Sequence, residues 1–386
     1  MDATSSLSTA PGLYVHLPFC SEICPYCDFY VLKGDREAKE RYLEKLEREL
    51  RLWEDSEWSE PFDTIYLGGG TPSAMEPEQL ERLLSAVRSS LAVADDAYLQ
   101  MEANPEDASR ENLRAWRELG VSFLSLGVQS LEDDALKMLG RRHTATEGQR
   151  AVERALEADF PIVSLDLIYG RPGQTSRQWH RELRDALSLG TSHLSCYLLT
   201  IHEGTPFGFR TARGKMSILP DDHQADLFLL THWIAEDRGI PGYEVSNFAR
   251  SPADRSPHNR KYWHRVPYLG VGPSAHSFDG SRRWWNERKI RPWGRALDEE
   301  RRPIAETEEL SEEQREMERI LMGIRTRRGI GPDLLGTGSE GKGIPDAVVE
   351  QLLREGLLRR EGERVVATPR GWAMADGLAA RLVSAG

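Results

Sequence analysis

Gly12-Leu-Tyr-Val-His-Leu-Pro-Phe-Cys20-Ser-Glu-Ile-Cys24-Pro-Tyr-Cys27 joins a short apolar run to three closely spaced cysteines. The run ends at a proline, as a buried strand often does. The loop after it carries Cys20, Cys24 and Cys27. Cysteines this close on one loop can hold three iron corners of a [4Fe–4S] cluster. No fourth cysteine is near, because Phe29 stands two positions after Cys27. One iron would then keep an open valence, the mark of a metal that binds substrate or does chemistry. Two other readings use the same residues. Zinc on the three cysteines and His16 lacks a second close-spaced pair. Cys24-Pro-Tyr-Cys27 alone is a dithiol motif of the glutaredoxin type, which leaves Cys20 without a role.

Outward from this stretch the pattern repeats. Apolar runs at 13–17, 64–67, 98–102, 123–126, 162–168 and 193–199 alternate with helix-like segments at 36–53, 77–89, 109–119, 132–139, 145–158 and 176–187. Thr144 and Glu147 form a capping box, and Pro77 suits a first helical turn. Strand and helix in alternation imply parallel βαβ units, hence an α/β fold. Six units in a row predict either a barrel, whole or partial, or an open doubly wound sheet. In both, chemistry collects at the C-terminal ends of the strands. Cys20–Cys27 follows the first run, Gly68–Thr71 the second, and Glu102 ends the third. Gln129 follows the fourth and Asp166 lies within the fifth, so all of these share one rim.

With 386 residues the chain is long enough for one large domain and a small one. Lys and Arg number 50 against 62 Asp and Glu, a net charge of −12 that does not attract nucleic acid or anionic lipid non-specifically. No apolar run approaches the roughly 20 residues of a membrane span. The first eleven residues, polar and small, read as a disordered tail rather than a signal peptide. Four cysteines in so long a chain fit a reducing cytoplasm. Cys196, alone in an apolar run, reads as an ordinary core residue.

Residues 200–292 are richer in Pro, Gly and aromatics, with a helix near 221–237. They are expected to complete the barrel domain, 12–300, and to cover its mouth. Residues 305–313 read as a polar linker to a C-terminal domain, 305–386. Within it, 313–323, 346–355 and 371–382 read as helices, and Glu361-Gly362 marks a hairpin over 357–367. Helices followed by a hairpin suggest a winged-helix-like unit serving as scaffold or lid.

The cysteine spacing matches the signature of the radical S-adenosylmethionine (SAM) superfamily. With Gly68-Gly-Gly-Thr-Pro72 and Asp166-Leu-Ile-Tyr-Gly170, the chain resembles the oxygen-independent coproporphyrinogen III oxidase family from Gly12 onward, and most of all its heme chaperone branch. The resemblance implies a partial (β/α)6 barrel with a small C-terminal domain. It implies a cluster on Cys20, Cys24 and Cys27, and S-adenosylmethionine held by Tyr14, Tyr26, Gly69, Gly70, Thr71, Glu102, Gln129, Arg141 and Asp166. Glycines after a strand allow close backbone approach and expose N–H donors to a carboxylate. Carboxylates, an amide and a guanidinium suit a zwitterion with a ribose.

Two departures separate the chain from the oxidases. Phe29 replaces a further cysteine, and only eleven residues precede Gly12. The resemblance therefore implies a chaperone that binds heme and delivers it to acceptor proteins, rather than coproporphyrinogen dehydrogenation. His258-Asn259-Arg-Lys-Tyr262-Trp263 resembles the stretch proposed to bind heme in that branch. Imidazole is a common axial ligand, and Tyr262 and Trp263 offer flat apolar area to a porphyrin. Arg260 and Lys261 could meet the propionates, with His264 and His276 as alternative ligands. A structural role for the motif is the competing reading. His143 and His193 read as satisfied polar residues.

Overall fold

The computed structural model describes residues 8–56, 58, 60–336 and 343–384. All six apolar runs are strands, and helices separate each from the next. In chain order they are β1 (Gly12–Leu17), α1 (Arg36–Leu52), β2 (Phe62–Gly69), α2 (Pro77–Ser90), β3 (Val93–Ala103), α3 (Arg110–Glu118), β4 (Val121–Gln129), α4 (Asp133–Met138), α5 (Ala145–Glu157), β5 (Ile162–Tyr169), α6 (Ser176–Ser188) and β6 (His193–Leu198). The capping box at Thr144 is present, as is Pro77 in the first turn of α2. β1 to β6 pair in order and in parallel, giving the partial barrel.

Strands buried on both faces are usually apolar throughout. Here one face only is apolar. Leu13, Val15, Ile65, Leu67, Met101, Leu124, Leu165 and Cys196 join the helices in one core, so Cys196 is the packed residue its surroundings suggested. The alternate residues are mostly polar or aromatic, and several touch one another. Ser125 and Ser164 donate to Asp166 at 2.6 and 2.9 Å, and His193 meets Ser164 at 2.8 Å. The interior of the barrel is therefore a cavity walled by polar and aromatic side chains.

The next segment holds α7 (Pro206–Ala212), α8 (Asp221–Asp237), β7 (Asn247–Ala249), α9 (Pro257–His264), β8 (Tyr268–Val271), β9 (His276–Phe278), β10 (Arg282–Asn286), α10 (Ile290–Asp298) and β11 (Ile304–Glu309). It does more than cover the mouth. β7 pairs with β6, and β8 pairs in parallel with β1, so the sheet runs β11-β10-β9-β8-β1-β2-β3-β4-β5-β6-β7. The expected linker at 305–313 is largely the edge strand β11. Its glutamates read as loop, but its backbone pairs antiparallel with β10, and Arg283 meets Glu308 across the pair at 3.2 Å. Charged side chains suit an edge strand, which must not recruit another chain.

Residues 1–7 of the expected tail lie outside the described residues. Ala10 and Pro11 do not belong to a tail: both are buried, and the Ala10 carbonyl accepts from Lys261 at 2.6 Å. The C-terminal region comprises α11 (Glu312–Gly323), α12 (Asp346–Arg354), the hairpin of β12 (Leu358–Glu361) and β13 (Arg364–Ala367), α13 (Pro369–Ala373) and α14 (Ala375–Val383). The single helix expected at 371–382 is thus two, broken at Met374. This region has its own core around Ile324, Leu352 and Trp372, and Trp372 donates its indole N–H to the Ile324 carbonyl at 2.8 Å.

Candidate cofactor site

The loop after β1 brings Cys20, Cys24 and Cys27 to the wall of a cavity of about 540 Å3. All three thiols are free. Burial raises Cys20 and pushes Cys27 up to about 11, so a metal binding here must displace protons. Thr71 donates to the Cys20 sulfur at 3.4 Å, and Arg141 to the Cys24 sulfur at 3.5 Å. His16 takes no part. Its ring nitrogens meet the Tyr14 hydroxyl and the Tyr30 carbonyl, each at 3.1 Å. The zinc reading therefore lacks its fourth ligand in this conformation.

The end of β2 explains its glycines. A Cβ on Gly69 would stand 2.3 Å from the His16 ring, and one on Gly70 would stand 2.6 Å from the Leu17 carbonyl oxygen. Gly69 also has φ +100. Only glycine lets β2 close onto β1 and present Thr71 beside Cys20.

Tyr26, Gly69, Gly70, Thr71, Glu102, Gln129, Arg141 and Asp166 all line the same cavity. Tyr14 does not; it stands behind Tyr66, ring centroids 5.7 Å apart, and Tyr66 takes the wall position. Arg141, not Arg142, turns inward and donates to Asn104 at 2.5 Å and to the Gly127 carbonyl at 3.0 Å. Tyr66, Gln100, Asn104 and Ser125 also line the cavity, and no motif singles them out. Tyr66, Gln100 and Ser125 alternate with the buried apolar residues of β2, β3 and β4, and Asn104 directly follows β3; that alternation is the signal that finds the first three.

Glu102 accepts from the Tyr66 hydroxyl. Burial pushes Glu102 up to about 7, the Tyr66 hydrogen bond opposes this, and Asp166 adds repulsion. Burial pushes Asp166 up to about 6, against the hydroxyls of Ser125, Ser195 and Ser164. Gln129 sits at φ 67. Its Oε1 and the Arg141 Nε are buried without a partner. Two carboxyls near neutrality, an acceptor and a donor left open, and three thiols form a donor set that fits a cluster and a cationic, zwitterionic ligand.

The radical SAM superfamily model matches residues 14–186. The heme chaperone HemW of Bacillus subtilis is 33% identical over 93% of this chain and 95% of its own length. The heme chaperone HemW of Mycobacterium tuberculosis is 34% identical over 96% of this chain and 94% of its own. The chain belongs to the heme chaperone branch of the radical SAM superfamily. A solved structure, the coproporphyrinogen III oxidase of Escherichia coli, shares the fold at TM-score 0.80 and 20% identity, covering 98% of this chain and 92% of that one.

The His258-Asn-Arg-Lys-Tyr-Trp263 string lies in α9, a plug at the N-terminal ends of β1 and β2. Ser256 caps the helix and donates to Gln100 of β3 at 2.6 Å. His258 is fully buried. Its Nδ1 meets Thr64 at 2.9 Å and its Nε2 meets the Tyr262 hydroxyl at 2.8 Å, so neither nitrogen is free for iron in this conformation. Lys261 is also buried, paired with Asp63 at 2.7 Å, and does not reach toward a propionate. Asn259 lines the cofactor cavity, whereas Trp263 and His264 line a second cavity of about 280 Å3 against the C-terminal region. His193 has both ring nitrogens engaged, by Ser164 at 2.8 Å and Tyr243 at 3.0 Å. His143 meets the Val128 carbonyl at 3.0 Å and Glu106 at 3.3 Å.

Proposed function

We propose that this chain is a heme chaperone that carries a [4Fe–4S] cluster on Cys20, Cys24 and Cys27, binds S-adenosylmethionine beside it, and passes heme to acceptor proteins. The observation that carries the reading is the cavity itself, where three free thiols share a wall with Glu102, Asp166, Gln129 and Arg141. A bound cluster would supply an open iron for the amino-acid end of the ligand. The protein's own part is to orient. The N–H groups of Gly69 and Gly70 are already taken, by the Glu102 carboxylate and by the Leu17 carbonyl at 2.8 Å, so the glycines serve by close approach and not as the exposed donors their position suggested. Thr71 and Arg141 donate to the thiolate sulfurs, and Glu102 and Asp166 ionise against positive charge.

Heme as cargo is inferred from the names of the relatives in Bacillus subtilis and Mycobacterium tuberculosis. Phe29, where the oxidases carry a further cysteine, supports the chaperone over coproporphyrinogen dehydrogenation. The test is a hemin titration of the anaerobically reconstituted full chain, followed by transfer to apomyoglobin as a surrogate acceptor. A saturable Soret band that moves to the acceptor is expected. Formation of protoporphyrinogen from coproporphyrinogen with dithionite and S-adenosylmethionine would overturn the chaperone-only reading.

A further inference from the structure

With His258 engaged on both sides, the ligand for heme iron must be sought elsewhere. The chain has ten histidines. His16, His193 and His258 have both ring nitrogens bonded. His143 is buried between Val128 and Glu106, and His232 is buried against the Val245 carbonyl at 3.2 Å. His223 donates from Nε2 to the Gln174 carbonyl at 2.8 Å and lines neither cavity, and His264 accepts from Arg328 on Nδ1 at 2.9 Å, which leaves its proton on Nε2. His180 and His276 line neither cavity.

His202 remains. It follows β6, on the rim where the strands end, and lines the cofactor cavity. Its side chain is 44% exposed, and its Nδ1 stands 3.5 Å from the carboxylate of Asp28, the residue after Cys27. Histidines that bind metals usually turn their other N–H to a carboxylate, which fixes the ring and strengthens the ligand. With the proton on Nδ1 facing Asp28, the Nε2 lone pair is free.

The surroundings suit a porphyrin. Phe29 is 66% exposed, Ile23 46% and Tyr197 42%, and all three line this same cavity. Large apolar side chains left in water at one opening mark a place where something flat and apolar settles. The backbone holds His202 firmly. Thr205 donates its hydroxyl to the His202 carbonyl at 2.7 Å, and a Cβ on Gly208 would stand 2.3 Å from that oxygen. Phe207 donates its N–H to the Pro25 carbonyl of the cysteine loop at 2.9 Å, so the turn and the loop are tied together.

We propose that His202, oriented by Asp28, is the axial ligand of heme bound at the mouth of the cofactor cavity, with Phe29 and Ile23 against the porphyrin. Nε2 donates its lone pair to the iron in place of water, and neither proton nor electron changes hands. The assignment rests on the heme chaperone reading above, so its test separates the two. Hemin is titrated into the reconstituted full chain as wild type, His202→Ala, His202→Gly, Asp28→Asn and His276→Ala, with cluster content measured in each. Wild type and His276→Ala are expected to match. His202→Ala should shift the Soret band and weaken binding about tenfold or more, and added imidazole should restore the band in His202→Gly. Asp28→Asn should bind about tenfold more weakly and lower the iron–histidine stretching frequency of the ferrous form. A wild-type Soret band that His202→Ala leaves unchanged overturns the ligand and keeps the heme reading. No saturable band in wild type overturns both.

Discussion

At the scale of single residues, the cavity depends most on the three thiols of one loop. Three cysteines in eight positions announce an iron–sulfur site because few other structures need that spacing. Replacing Cys20, Cys24 or Cys27 singly with Ala is expected to abolish cluster incorporation, read as iron and sulfide content and visible absorption. Cys196→Ala should retain both, since that thiol is 2% exposed among apolar neighbours. Full iron and sulfide in any of the three variants would refute the ligand set. His258 shows what a sequence conceals. An imidazole beside Tyr262 and Trp263 looks like a ligand until the fold places it against Thr64 of β2, 194 residues earlier in the chain. We expect His258→Ala to act first as a packing lesion, lowering stability by about 2–4 kcal/mol through a cavity and two lost hydrogen bonds. Chemical denaturation measures it. Unchanged stability with lost heme binding would return His258 to the ligand role.

At the scale of elements, the parallel strands were legible because each is a short apolar run bounded by helix signals, and a barrel strand needs little else. β11 was not, because its pairing is carried by the backbone while its side chains are the charges of a loop. Nor was α9, the plug whose partners come from β2 and β3 nearly 200 and 160 residues earlier (Thr64 with His258, Gln100 with Ser256). Another long-range joint is more surprising. Glu49 of α1 is fully buried and accepts from Gly272 N–H at 2.8 Å, the Trp293 indole at 2.8 Å and the Asn286 amide at 2.6 Å. It fastens α1 to β10, α10 and the turn after β8. Three donors converge on two oxygens, and an amide has only one. Glu49→Gln should therefore leave a buried donor facing another donor and cost about 2–3 kcal/mol. The denaturation midpoint would show it, and a midpoint equal to wild type would mean that neither the charge nor the second acceptor is needed.

At the scale of the whole molecule, buried titratable groups of two kinds oppose each other. Burial pushes Glu49, Glu102 and Glu244 from 4.5 up to about 7, and Asp166 from 3.8 up to about 6. Between those ordinary and raised values the folded chain keeps protons that the unfolded chain has lost. From this source, stability falls as pH rises through the window. Burial lowers His193 and His258 from 6.5 to about 3, and His16, His232 and His264 to about 4. Below 6.5 the unfolded chain takes up protons that these rings refuse, so here stability falls as pH drops. Around pH 5.5 the five histidines outweigh the four carboxyls, and toward neutrality the two sets balance. The melting temperature of the cluster-free chain is expected to peak near about pH 6.5. S-adenosylmethionine should move that peak upward, because a cation beside Glu102 and Asp166 favours their ionised forms and removes part of the penalty on the alkaline side. Glu102→Gln should remove its share of the alkaline fall without ligand and blunt the ligand's effect. S-adenosylmethionine that raises the melting temperature yet leaves the peak in place would mean that its positive charge lies away from both carboxyls.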